Sequence, residues 1–109
     1  MAYDPGHAKL MQEALGDTPN ISEKKMFGGL CFMLNGHMVC GVHKDGGMAR
    51  VGKLAEPDAL LIDGIEPLSF TGRKMGGMVD VSEDVLGDDT RLRQIVSMAL
   101  DYVKSLPPK

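Results

Sequence analysis

No stretch of this sequence carries the residues that a reaction requires. It has no nucleophile spaced to a base, no CxxC or His/Cys ligand cluster, and no phosphate-binding or dinucleotide fingerprint. The expectation is a protein with no catalytic residues, no cofactor and no metal, and not an enzyme. Apolar runs are short, and none approaches the roughly 20 residues needed to cross a bilayer, so membrane partners are not expected either. Only two cysteines occur among 109 residues, which leaves no disulfide framework. The opening MAYDPGHAKLMQ has neither a basic flank leading into an apolar stretch nor a small-residue cleavage site, so a cytoplasmic location with reduced thiols is expected. Basic charge is not in excess: 12 Lys and Arg stand against 15 Asp and Glu, for a net charge of −3. A generic nucleic-acid binder neutralises phosphates with clustered Lys and Arg, so direct nucleic-acid binding is not expected. Tryptophan is absent, while methionine occurs nine times and glycine fourteen times. Methionine fills irregular cores and also suits adaptable binding surfaces.

What is present organises itself around residues 24–42, KKMFGGLCFMLNGHMVCGV. Two strand-like runs, Leu30 to Leu34 and His37 to Val42, flank Asn35-Gly36, a strong hairpin signal because both residues tolerate the positive φ of a type I′ turn. Before them, Asp4-Pro5-Gly6 can cap a helix reaching Leu15, with Leu10, Met11, Ala14 and Leu15 on one stripe and Gly16 to end it. Residues 21–27 alternate well enough for a first strand, followed by a bulge or tight turn at Gly28-Gly29. Asp45-Gly46-Gly47 reads as a turn into a strand at Met48 to Val51, which completes a four-stranded meander. Residues 54–62 suit a short helix with Pro57 in its first turn. Pro67 to Phe70 and Lys74 to Val81 read as two more strands around Thr71-Gly72-Arg73, with a bulge expected at Gly76-Gly77. Ser82-Glu83-Asp84 and Gly87 bracket at most one helical turn. A long helix follows from Asp88 to Leu106, its apolar stripe being Leu92, Ile95, Val96, Ala99, Tyr102, Val103 and Leu106. This order is neither strict βαβ alternation nor all-β. It implies one α+β domain over 1–109, an antiparallel sheet of about five or six strands with helices packed against it.

Several of these segments together carry a resemblance. Lys24 to Gly29 (KKMFGG), Phe32-Met33, Asn35-Gly36, Arg50-Val51-Gly52, Phe70-Thr71-Gly72-Arg73 and Ser105-Leu106-Pro107-Pro108 resemble the TfoX (Sxy) N-terminal domain family of bacterial proteins, nearly end to end. The resemblance implies a secretion-chaperone-like α+β fold. It also implies a link to transcription regulation, since founding members are positive regulators of natural competence genes that act with a cyclic-AMP-responsive activator. Those regulators carry a second, C-terminal domain, so the expectation here is a stand-alone single-domain member. Where many relatives have an aromatic residue in the strand after FTGR, this sequence has Met78 and Asp80. The resemblance supplies no catalytic residue set.

Two groups of side chains stand out as candidate sites. With a two-residue turn at Asn35-Gly36, strict pairing sets Leu34 against His37, Met33 against Met38, Phe32 against Val39 and Cys31 against Cys40. Cys31 and Cys40 would then be direct cross-strand neighbours, a candidate redox pair, although two reduced thiols packed in a sheet face fit the same pattern. Met33 and Met38 would share that face in a soft two-thiol, two-thioether group of the kind that suits Cu(I), while a methionine-rich core gives the same pattern without metal. The second group is basic. Lys24, Lys25, Arg50, Lys53, Arg73 and Lys74 form an interaction patch if their strands lie side by side, and otherwise serve as solvated charges that discourage edge pairing. His7, His37 and His43 are scattered, with no Cys or Ser partner at motif spacing.

The leading expectation is a non-enzymatic regulatory or protein-interaction module whose partner is a protein such as a transcription factor. A homodimer is expected as well, completed across open strand edges. The rival is a small thiol redox or soft-metal-binding protein using Cys31 and Cys40.

Overall fold

The computed structural model describes residues 4–26, 29–43, 46–70 and 73–107. In chain order the elements are α1 (Pro5–Leu15), β1 (Ile21–Met26), β2 (Gly29–Leu34), β3 (His37–His43), β4 (Gly46–Arg50), α2 (Glu56–Ala59), β5 (Ile65–Phe70), β6 (Arg73–Val81), α3 (Glu83–Leu86) and α4 (Asp89–Lys104). Six antiparallel strands form one open sheet in the order β1-β2-β3-β4-β6-β5. The meander and the α+β class follow the sequence expectation, and no helix among the described residues is long and apolar enough to cross a membrane.

Local chemistry sets the element ends. Asp4 caps α1 by accepting from the Gly6 amide at 2.8 Å, Pro5 occupies its first turn, and Gly16 closes it at a φ of 60°. Ser82 caps the single turn of α3 by accepting from the Val85 amide. Asp88 caps α4, accepting from the Thr90 amide at 3.1 Å and the Arg91 amide at 3.3 Å. On α4, Leu92, Ile95, Val96, Ala99 and Val103 are buried, a stripe at helical spacing that faces the sheet. The segment expected as a helix over 54–62 narrows to the four residues of α2. Leu61 and Ile62 instead close tighter turns onto the Asp58 and Ala59 carbonyls.

The sheet has two unlike faces. On one, α1, α3 and α4 pack against each other and over β3 and β4, and the core holds Phe32, Leu34, Val42, Val79, Val81 and the α4 stripe. On the other, a second cluster contains Cys31, Met48 and Met78, with Met33 and Met38 packed against it and no helix residue. The edge strands carry Lys24 and Lys25 on β1 and Pro67 on β5, features that discourage pairing with a further strand.

Three expectations change with the structure. The turn at Asn35-Gly36 forms as read, with φ of 52° and 86°, and Leu34 pairs with His37 and Met33 with Met38. Beyond them a β-bulge intervenes, so that Phe32 pairs with Cys40 and Cys31 with Gly41. Val39 is the inserted residue, and both it and Cys40 turn into the helix-side core. Gly46 and Gly47, read as turn residues, belong to β4, while Asp45, Phe27, Gly28, Thr71 and Gly72 lie outside the described residues. The irregularity expected at Gly76-Gly77 is present and larger than one residue: Pro67 pairs with Val79 but Ser69 with Lys74, so β6 gains three residues over β5.

Candidate functional site

The departure of β6 from its neighbours brings Gly77 to the wall of a concavity. Gly77, at a φ of 82°, turns its carbonyl to accept from the amides of both Val51 (2.9 Å) and Gly52 (3.0 Å). Its own amide donates to Glu56 Oε1 at 3.0 Å, and the Glu56 amide donates back to the Gly52 carbonyl at 3.0 Å. Gly52, Glu56 and Gly77 thus form a closed hydrogen-bonded knot that joins the end of β4, the start of α2 and the bend of β6. Both glycines are required by contact as well as by φ. A Cβ on Gly52 would lie 2.5 to 3.0 Å from ring carbons of Tyr102, and one on Gly77 would lie 3.1 to 3.2 Å from Lys53 N and Gly52 backbone carbons.

Above this knot opens a cleft of about 700 Å³, bounded by residues 50–55, Gly77, and Met98, Asp101 and Tyr102 of α4. The Arg50 guanidinium lies over the Tyr102 ring, 5.5 Å from its centroid, within cation–π range. Among the described residues no carboxylate pairs with Arg50 or with Lys53. The second oxygen of Glu56 is buried without a hydrogen-bond partner. At the rim Leu54 is 99% exposed, and Leu61, beyond α2, is 84% exposed. Uncovered leucines on both sides of a four-residue helix cost solvation that a contact would recover. The arrangement can hold an anionic group against Arg50 and Lys53 while apolar surface meets Leu54.

The described members of the sequence-derived basic patch fall in two places. Lys24 and Lys25 sit on β1 at the sheet edge, and Arg50 sits on β4, with β2 and β3 between them, a separation of about 14 Å at ordinary strand spacing. Among the described residues, Arg50 and Lys53 are the members of the patch that share the cleft. Arg73 and Lys74 belong to β6, but their side chains lie outside the described residues. Arg50-Val51-Gly52 therefore marks the site, while Gly52, Glu56, Gly77 and Tyr102 give it shape. Tyr102 reads in the sequence only as one more member of the α4 stripe. Exposure of Leu54 has no sequence signature.

The cysteine pairing is corrected by the bulge. Cys40 belongs to the helix-side cluster and Cys31 to the opposite one, so their side chains leave the sheet on different faces and cannot be bridged without backbone movement. Burial pushes the Cys31 thiol up to about 11. It pushes Cys40 higher still, with the charge of a Cys31 thiolate as a second cause. Both are neutral at physiological pH, the opposite of an activated nucleophile. Two of the histidines make polar contacts between segments. His37 Nε2 donates to the Pro107 carbonyl at 2.6 Å, tying the hairpin to the segment after α4. His43 Nε2 lies 3.0 Å from the Gly47 carbonyl and 2.8 Å from Asp80 Oδ1.

The family described as the TfoX N-terminal domain covers residues 13–103. No curated protein and no solved structure matches the chain.

Proposed function

The chain belongs to the TfoX N-terminal domain family, which is associated with competence regulation and is not a known enzyme family, and from that premise we propose that it is a non-enzymatic regulatory module that captures a protein partner in the Arg50–Tyr102 cleft. The observation that carries this reading is Arg50 itself, a guanidinium over the Tyr102 ring with no carboxylate partner among the described residues, beside the exposed Leu54. Their combination fits an acidic segment of the partner that also presents an apolar side chain. Arg is enriched at interaction hot spots because it stacks on aromatic rings and grips carboxylates in two-point contact. In keeping with the family's association the partner is a transcription factor, and the net charge of −3 favours contact with that protein over contact with DNA.

A photo-crosslinking residue installed in place of Leu54 tests the reading in cells. One discrete crosslinked partner is expected, lost in Arg50→Glu and kept in a Lys24→Glu, Lys25→Glu variant that changes charge at the far sheet edge. A crosslinking pattern unaffected by Arg50→Glu overturns the proposal. A specific, salt-sensitive shift of promoter DNA by the purified chain overturns the indirect route to DNA.

A further inference from the structure

We propose, on the premise that the Arg50–Tyr102 cleft captures a protein, that the captured segment is bipolar. It carries a carboxylate for Arg50 and Lys53, a cationic side chain for Asp101, and an apolar side chain between the two.

The acidic wall comes from α4. Met98, Asp101 and Tyr102 stand at i, i+3 and i+4, so they share one side of the helix, and all three line the cleft. Arg50 and Lys53 approach from the end of β4 and the loop after it. The guanidinium lies over the ring of Tyr102, the residue next to Asp101. Yet among the described residues neither Arg50 nor Lys53 comes within ion-pair distance of the Asp101 carboxylate. Lys53 and Asp101 are exposed and Arg50 is half-buried. Two cations and one carboxylate thus face a single space of about 700 Å³ without neutralising one another. Ala55 and Met98, packed against the core, and the uncovered Leu54 supply apolar surface beside them.

This charge pattern selects the occupant. A segment with acidic groups alone gains at Arg50 and Lys53 and loses at Asp101, because like charges brought together at an interface are unfavourable. A segment with basic groups alone meets the reverse. A segment bearing both signs satisfies each wall, and it lies in one direction only, since turning it round sets like charges together. Asp101 is therefore a specificity residue: it rejects strongly acidic segments that Arg50 and Lys53 by themselves would admit. An exposed charge pair shifts affinity by no more than about fivefold. Asp101 accordingly governs which segment is held, while Arg50, fixed over Tyr102, governs whether one is held at all.

The test is selection of a displayed random-peptide library on the purified, immobilised chain, followed by fluorescence anisotropy with the enriched peptide. Enriched sequences should carry an acidic and a basic residue on opposite sides of an apolar one. The enriched peptide should bind Asp101→Glu as it binds the unaltered chain, Asp101→Asn about threefold more weakly and Asp101→Lys about tenfold more weakly. A control peptide whose basic residue is replaced by an acidic one should instead bind Asp101→Lys more tightly than it binds the unaltered chain. Because Asp101 is exposed, all three variants should melt with the unaltered chain, which separates lost binding from lost folding. Enrichment of sequences with charge of one sign only, or an Asp101→Asn variant that holds the enriched peptide as tightly as the unaltered chain, overturns the bipolar segment and leaves capture at Arg50 standing. Ready displacement of the peptide by free citrate assigns the cleft to small anions and overturns both. Enrichment of the same peptides on Arg50→Glu, or no enrichment on the unaltered chain, likewise overturns capture in this cleft and the bipolar segment with it.

Discussion

The two faces of the sheet are built from different kinds of apolar residue. The helix side is dominated by branched side chains, among them Val39, Val42, Val51, Val79, Val81 and Ile95, all essentially inaccessible. The opposite side is sulfur: Cys31, Met33, Met38, Met48 and Met78. Branched residues have few rotamers and lock against a facing helix, whereas methionine has three rotatable bonds and repacks at low cost. The contrast assigns stability to one face and adaptability to the other. The Arg50–Tyr102 cleft lies where rigidity is available, against α4 and the Gly52–Glu56–Gly77 knot, so that Arg50 is held in a fixed frame.

The largest test of this division is Ile95→Ala at the middle of α4. Ile95 is fully buried in the helix-side core, and truncation there should cost about 2–5 kcal/mol. In a urea titration this should appear as a lower midpoint with an unchanged slope. Next comes Gly36→Val. Gly36 sits at a φ of 86°, which a β-branched residue resists, so a penalty of about 1–3 kcal/mol is expected. The hairpin it closes sends Phe32 to the helix side and Cys31 to the sulfur side. Hydrogen exchange should therefore accelerate on both faces, whereas Ile95→Ala should act first on the amides of α4. Equal loosening of both faces by Ile95→Ala would break the division.

Met48→Leu sharpens it from the other side. Although Met48 is as inaccessible as Ile95, a volume-conserving exchange in an unbranched cluster should cost less than about 1.5 kcal/mol, measured by the same titration. A cost equal to that of Ile95→Ala would show the sulfur face to be as tightly fitted as the core.

Much of this was legible in the residues, and the exceptions have physical causes. The caps Asp4 and Ser82, the acidic start of α4 and the Asn35-Gly36 turn are local signals, and each forms where it reads. The bulge at Val39 has no turn residue to announce it, because a valine inserted among apolar neighbours leaves composition unchanged. One clue was available. Strict alternation after Met38 would turn His43 toward the core and Val42 away from it. One extra residue reverses both, bringing Val42 opposite Leu30 and leaving His43 to meet Asp80. The cleft was half legible: Arg50-Val51-Gly52 stood out as a motif, but the contact of Gly52 with Tyr102 joins residues 50 apart in sequence. No periodicity encodes that contact. The sulfur cluster was readable as composition and unreadable as place, since it depends on the strand order β2-β3-β4-β6.

The smallest expected effect is acid weakening of the helix side alone, through Asp88. The Arg91 side chain donates to its carboxylate at 2.8 Å, and this hydrogen bond first, then those from the Arg91 and Thr90 amides, holds its pKa below the ordinary carboxylate range. A carboxyl whose folded-state pKa is depressed contributes stability above its unfolded pKa of about 3.9, and that contribution is lost as pH falls through the folded value. The pH window is therefore below about 4, and neutral solutions should show no dependence from this group. Asp88 also complements the helix dipole at the start of α4, so its protonation should first fray that turn. Backbone NMR between pH 5 and 3 should show the Thr90 and Arg91 amides shifting together before global unfolding, while those of Cys31 and Met48 hold steady. Asp88→Asn keeps a capping oxygen but has no carboxylate to protonate, so it should abolish the early shift. An unaltered early shift in that variant would move the acid response to another carboxylate and separate it from the α4 cap.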